Sequence, residues 1–311
     1  MSTENTPTEM RAAIPSAEGP QLTGKIVALL AGLSAISILS TNIILPAFPD
    51  IGEQLGVSAR ELGLTLSSFF ITFALAQLVV GPLADRYGRK KLVLGGLSIF
   101  IVGTVVGGLA GSLETLIVGR IIQALGVCAA AVLARAIARD LFEGETLARA
   151  LSLTMIAAAA APGFSPLVGS VLTTALGWRA IFILVGIAAF VVAVFYVNVL
   201  GETHPAERRA PHSMPSVIFA YGRLVMEGQF ILPALSMSLL MSGLFASFGA
   251  APAILMNGIG LSSLQAGCIL PPPCSWSLPQ GWRHRAWRTA MARKSLPREA
   301  FSPHYWEGAC C

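Results

Sequence analysis

Apolar residues gather along this chain into seven runs, at roughly 25–48, 62–83, 92–111, 113–134, 150–175, 179–200 and 230–256, separated by short polar or charged segments. A helix needs about 20 apolar residues to cross a bilayer. Helices are the expected form, because a lone segment in lipid must satisfy its backbone hydrogen bonds internally. The pattern predicts an all-α polytopic membrane protein, with a six-helix bundle over 25–200, a polar cytoplasmic loop over 201–228 and the start of a second unit, one further helix, over 229–268. Pro233 and Pro252 interrupt the seventh run, as is common where membrane helices bend. Residues 1–24 are polar, contain Pro7, Pro15 and Pro20, and read as a disordered cytoplasmic tail.

Basic residues set the orientation, since Lys and Arg concentrate on the cytoplasmic side. With the N-terminus inside, twelve fall in cytoplasmic segments, among them Arg86, Arg89, Lys90, Lys91, Arg135, Arg139 and Arg149. Only Arg60 and Arg179 fall on the other side, and Arg120 lies within a run. The expected location is a cell inner membrane, with the lipid bilayer as surroundings and residues 84–91, 135–149 and 201–228 in the cytoplasm.

Composition agrees with a membrane protein: 54% hydrophobic, 12% charged and a mean hydropathy of +0.71, against about 25% charged in a soluble domain. The net charge of +5 does not imply a nucleic-acid partner, because six of the Lys and Arg lie beyond Cys268 beside only Glu299 and Glu307. The five Cys form no CxxC pair, so no metal or cofactor is expected. All four His (204, 212, 284, 304) lie outside the runs, and neither G-x-S-x-G nor H-E-x-x-H occurs, which disfavours a membrane-embedded enzyme.

Four segments carry candidate chemistry. GPLADRYGRKKLVL (81–94) joins the second run to the third and holds Gly81, Leu83, Asp85, Arg86, Gly88, Arg89 and Lys90. Gly81 permits close helix approach, Gly88 a tight turn, and Asp85 can meet a neighbouring Arg. Arg120 and Gln123, in LIVGRIIQALG, share a helix face. Arg120 sits at bilayer depth, where its insertion costs at least about 2.5–3.5 kcal/mol, so it should face a polar interior or a partner. APGFSPLVGS carries Pro162, Gly163, Pro166 and Gly169, which allow bending and tight packing. Asn42, in LSTNIILPAFPDI, can hydrogen-bond a substrate but cannot exchange a proton.

The first of these segments resembles the signature of the major facilitator superfamily, G-x-L-x-D-R-x-G-R-K, and sits at the matching topological place. Arg120-x-x-Gln123-x-x-Gly126 resembles that family's fourth-helix motif, with Ala124 in place of a glycine. Residues 161–170 resemble the antiporter motif of its drug exporters, with Ser165 and Ser170 replacing glycines. The first run resembles the start of the Bcr/CflA drug-resistance branch, where an acidic residue commonly stands at the position of Asn42. The resemblance implies the family's N-terminal six-helix half, a cytoplasmic latch around Asp85 with Arg135 or Arg139 as its partner, and a substrate and proton pathway at Asn42, Arg120 and Gln123. It implies export of small amphipathic drugs in exchange for protons, by alternating access. Other readings stay open: an inactive truncated remnant, and a homodimer that completes the cavity.

Beyond Cys268 the apolar pattern stops. Residues 269–311 hold four of the five Trp and no run of even ten apolar residues. They are expected to be a non-homologous tail, best explained by a shift of reading frame.

Overall fold

The computed structural model describes residues 22–204, 207 and 214–253. The stretches 1–21 and 254–311, and with them the expected tails at either end, lie outside the described residues. The described elements are helical: α1 (Gly24–Asn42), a 3-10 turn (Leu45–Ala47), α2 (Phe48–Leu55), α3 (Ala59–Tyr87), α4 (Arg89–Gly108), α5 (Leu113–Leu141), α6 (Gly144–Leu176), α7 (Arg179–Val199), α8 (Met214–Val225) and α9 (Gly228–Ala253). No strand occurs among them. Five spans are long and apolar enough to cross a membrane, or up to seven if each of two bent helix pairs is one span.

Helix ends follow local chemistry. Ser58 and Glu61 form a reciprocal cap at the start of α3, with Ser58 N–H donating to Glu61 Oε2 at 2.8 Å and Glu61 N–H to Ser58 Oγ at 3.3 Å. Ser112 accepts from Thr115 N–H at 3.3 Å to begin α5. Between α3 and α4 only Gly88 intervenes, at φ 95°, a conformation that a side chain would strain. The bend of 41° in α6, between the halves Gly144–Pro162 and Phe164–Leu176, lies at its prolines. Pro166 has no N–H for the Pro162 carbonyl, and Ser165 Oγ donates there instead, at 3.5 Å.

Three expected boundaries are corrected. The first run is not one helix to residue 48; it breaks after Asn42, ahead of Pro46 and Pro49, and resumes as α2. The apolar runs that end at 134 and start at 150 do not mark the helix ends, because α5 runs to Leu141 and α6 starts at Gly144, so Arg135, Arg139 and Arg149 stand on helices that outrun their apolar stretches. The connector 201–228 contains α8, whose segment Phe219–Val225 meets the segment Gly228–Gly243 of α9 at 78°.

The core sits around α5, the most enclosed span. α4 and α5 pack backbone to backbone along a glycine seam. A Cβ on Gly96 would lie 2.5 Å from the Cβ of Ala129, and one on Gly119 would lie 2.6 Å from the backbone N of Gly107. The outward faces of α3 and α7 carry Ile71, Leu75, Ile183 and Phe190, all exposed and apolar, as a lipid-facing surface requires.

Candidate functional site

Two polar clusters lie toward opposite ends of the bundle. The deeper one is built on α1, α4 and α5, with Phe69 of α3 beside it. Because α1 breaks at Asn42, Ile43 N–H still donates to Leu39 O, at 3.0 Å, but the carbonyls beyond Leu39 are left at the open end of the helix. Arg120 Nη1 donates to one of them, Ser40 O, at 2.9 Å, and also to Gln123 Oε1 at 3.0 Å. Gln123 Nε2 then donates to Thr104 Oγ1 at 2.9 Å. The guanidinium carbon lies 4.2 Å from the centre of the Phe69 ring. Arg120 and Gln123 are each only 1% exposed. A cation at the C-terminal end of a helix meets the negative end of its dipole, so α1 itself offsets part of the burial cost of Arg120. The offset is incomplete: Nε and Nη2 are buried with no hydrogen-bond acceptor among the described residues.

Asn42 is buried too, and its Nδ2 donates back to Ile38 O at 3.0 Å. The structure therefore places Asn42, Arg120 and Gln123 all inside the bundle but hydrogen-bonds only the last two to each other. Counting 1.5 Å per residue, Ser40 and Thr104 stand roughly 22–24 Å along α1 and α4 from their first residues. That brings the cluster nearer the end of the bundle away from Gly88.

The second cluster surrounds Gly88. Arg89 is its hub: Nη1 meets Asp85 Oδ1 at 2.6 Å, Nε meets Asp140 Oδ2 at 3.0 Å, and its backbone N–H donates to Glu202 Oε1 at 2.8 Å. Thr203 Oγ1 also reaches Asp140, at 3.5 Å. The partner expected for Asp85 is thereby corrected. Arg135 and Arg139 are exposed, and Arg89, four residues on from Asp85, takes their place. Successive residues on a helix are about 100° apart, so Asp140 turns inward where its neighbour Arg139 turns out. Arg86 is exposed beside Tyr87, 5.4 Å from the ring centre, and Lys90 is half-buried. Gly81 meets nothing within 4 Å of a notional Cβ, so none of the described helices approaches it closely.

The proline segment serves the first helix. A Cβ on Gly169 would run into Ile43 O, which places α6 directly against the break in α1. Pro162 and Pro166 bend the same helix around it. Sequence reasoning missed Ser40, Thr104 and Phe69 around Arg120, and Glu202 beside Arg89. Glu202 carried one signal: it is the first acid after the sixth apolar run. It also missed a tie at the far end, where Trp178 Nε1 and Arg179 Nη1 both donate to Gln54 Oε1, at 2.8 and 3.1 Å.

Residues 30–279 match the profile of the Major Facilitator Superfamily. The chain belongs to that superfamily. Its match runs past Cys268, the point where the apolar pattern stops. The chain is 31% identical over 236 residues to an uncharacterized MFS-type transporter, YdgK, of Bacillus subtilis, covering 75% of this chain and 59% of that one. It is 28% identical over 291 residues to Multidrug resistance protein D of Escherichia coli, covering 92% and 69%, and 30% identical over 239 residues to a chloramphenicol resistance protein of Pseudomonas aeruginosa, covering 76% and 56%. It thus spans between about half and seven-tenths of the length of these relatives. Among solved structures it resembles a bacterial homolog of the human lysosomal transporter Spinster, in an inward-facing, unoccupied conformation, with a TM-score of 0.64 and 19% identity over 80% of this chain and 58% of that one. That likeness shows the major facilitator fold, and the protein is a multi-pass membrane member of a transporter family.

Proposed function

We propose that this superfamily member takes part in exporting small amphipathic drugs across the inner membrane in exchange for protons, by alternating access, with its N-terminus in the cytoplasm. Support comes from the resistance proteins among its relatives, and the observation that carries the reading is the Arg120–Gln123–Thr104 network buried across helices. Arg at this depth is expensive, and a polar group retained there marks a substrate or ion pathway. The Arg89 hub acts as the latch that holds one conformation, by tying the ends of α3, α4 and α5 together. Asn42 cannot carry the proton, so coupling would use a group elsewhere. Alternating access rocks two bundles about a central site; where the 311-residue chain acts alone, a second copy supplies the other bundle.

The test is expression in an efflux-deficient bacterium challenged with chloramphenicol. Raised tolerance that Arg120→Ala removes supports export. Unchanged tolerance with the protein present in the membrane would overturn it for this chain and mark the chain as inactive by itself.

A further inference from the structure

The deep cluster also constrains the charge of what it binds, an inference that rests on the export reading above. Every one of the eight acidic residues between positions 24 and 200 lies on α2, at a helix end or in a turn, and none lies midway along a span. Arg120, the one cation set inside an apolar run rather than at or beyond its edge, is 1% exposed and has no carboxylate within salt-bridge distance among the described residues. Its contacts are a carbonyl, an amide oxygen and an aromatic face. Nε and Nη2 remain buried donors without an acceptor among the described residues. Leaving such donors unmet is costly, and most so for a charged group. The neighbouring polar groups do not meet them in this arrangement: Gln123 Oε1 accepts from Nη1, Thr104 Oγ1 from Gln123 Nε2, and Asn42 Nδ2 donates to Ile38 O of its own helix.

We infer that Arg120 is a recognition site for an anionic or strongly accepting group, such as a carboxylate, on the transported molecule, and that this bundle discriminates against organic cations. A carboxylate placed against Nε and Nη2 would make charge-assisted, two-pronged hydrogen bonds along the edge of the guanidinium that the described residues leave without an acceptor. A cationic amphiphile entering the same bundle would meet a like charge in low dielectric and no interior carboxylate to offset it.

The experiment measures equilibrium binding to the purified 311-residue chain in nanodiscs, using three probes with one fluorophore: dansylglycine (anionic), dansylamide (neutral) and dansylcadaverine (cationic). Dansylglycine should bind at least tenfold more tightly than dansylcadaverine, and Arg120→Gln should reduce the difference to less than twofold. Asn42→Asp, which adds a carboxylate at the last residue of α1, should shift the preference toward dansylcadaverine and serves if Arg120→Gln does not fold. Equal or tighter binding of the cation, no measurable binding of dansylglycine, or a preference that survives Arg120→Gln overturns the inference. A clear preference for dansylglycine in a chain that confers no tolerance sinks the export reading alone. Tolerance with dansylcadaverine as the preferred probe sinks the present inference alone.

Discussion

Arg89 and Glu202 stand 113 positions apart, yet the backbone N–H that opens α4 donates to the Glu202 carboxylate at 2.8 Å. The contact caps the N-terminus of α4 with an anion, which suits the helix dipole. It also binds the segment after α7 to the residue whose side chain holds Asp85 and Asp140.

Removing that cap should loosen the latch end of the bundle without unfolding it. Glu202→Ala is expected to cost about 1 kcal/mol, in the range of lost helix caps, and Glu202→Gln less, because the amide oxygen can still accept. Thermal unfolding in detergent, followed by tryptophan fluorescence, checks this. Equal melting of all three proteins would show that the cap contributes nothing.

The glycine seam should be less forgiving. A Cβ at Gly103 would collide with backbone atoms of Gly119, Ile122 and Gln123, none of which can swing aside as a flexible side chain could. Gly103→Val must push α4 and α5 apart, and overpacking typically costs about 1–3 kcal/mol, occasionally more. Cys128, a buried free thiol on α5, reports the change: with the other four Cys replaced by Ser, its reaction with a maleimide dye should begin at lower temperature in Gly103→Val than in the parent. Gly81→Ala, where a Cβ meets nothing within 4 Å, is the control and should melt with the parent.

The six apolar runs of the bundle were legible because hydrophobic length is nearly all a bilayer asks of a helix. Their ends were not. Helices α5 and α6 continue through Arg135, Arg139 and Arg149, since a helix leaving the membrane stays helical for as long as its backbone bonds and neighbours support it. The break after Asn42 was hidden inside one apolar run, although Pro46 and Pro49 marked it. Arg120 and Gln123 were found because a charge in a run is anomalous on sight. Ser40, Thr104 and Phe69 look like ordinary members of their helices, and only tertiary packing brings them to the guanidinium. Asp85 was assigned the wrong cation for a related reason: the turn at Gly88 decides where Arg89 points, and sequence spacing alone does not.

Orientation rests on the distribution of basic residues and is open to direct labelling. In chains stripped of the native Cys, a Cys at Val57, in the turn between α2 and α3, should react with a membrane-impermeant maleimide added to intact cells. One at His212, in the connector before α8, should react only after the cells are opened. The reverse pattern would overturn the cytoplasmic N-terminus.

Arg120 offers the sharpest separation of function from stability. Burying it costs at least about 2.5–3.5 kcal/mol on insertion scales, and Arg120→Leu removes that cost. The same change strips Ser40 O and Gln123 Oε1 of their donor, and a buried group left without a partner costs about 1–3 kcal/mol. The two effects are of similar size and opposite sign. Arg120→Leu should therefore reach the membrane in normal amount and melt within a few degrees of the parent, while losing at least tenfold in dansylglycine affinity. Gln123→Leu, which removes one acceptor from Arg120 and leaves Thr104 without its donor, keeps the buried charge and should be the less stable of the two. Melting temperatures and binding curves for both variants in one detergent decide the matter: if Arg120→Leu melts far below Gln123→Leu, the arginine is chiefly a structural tie between α1 and α5.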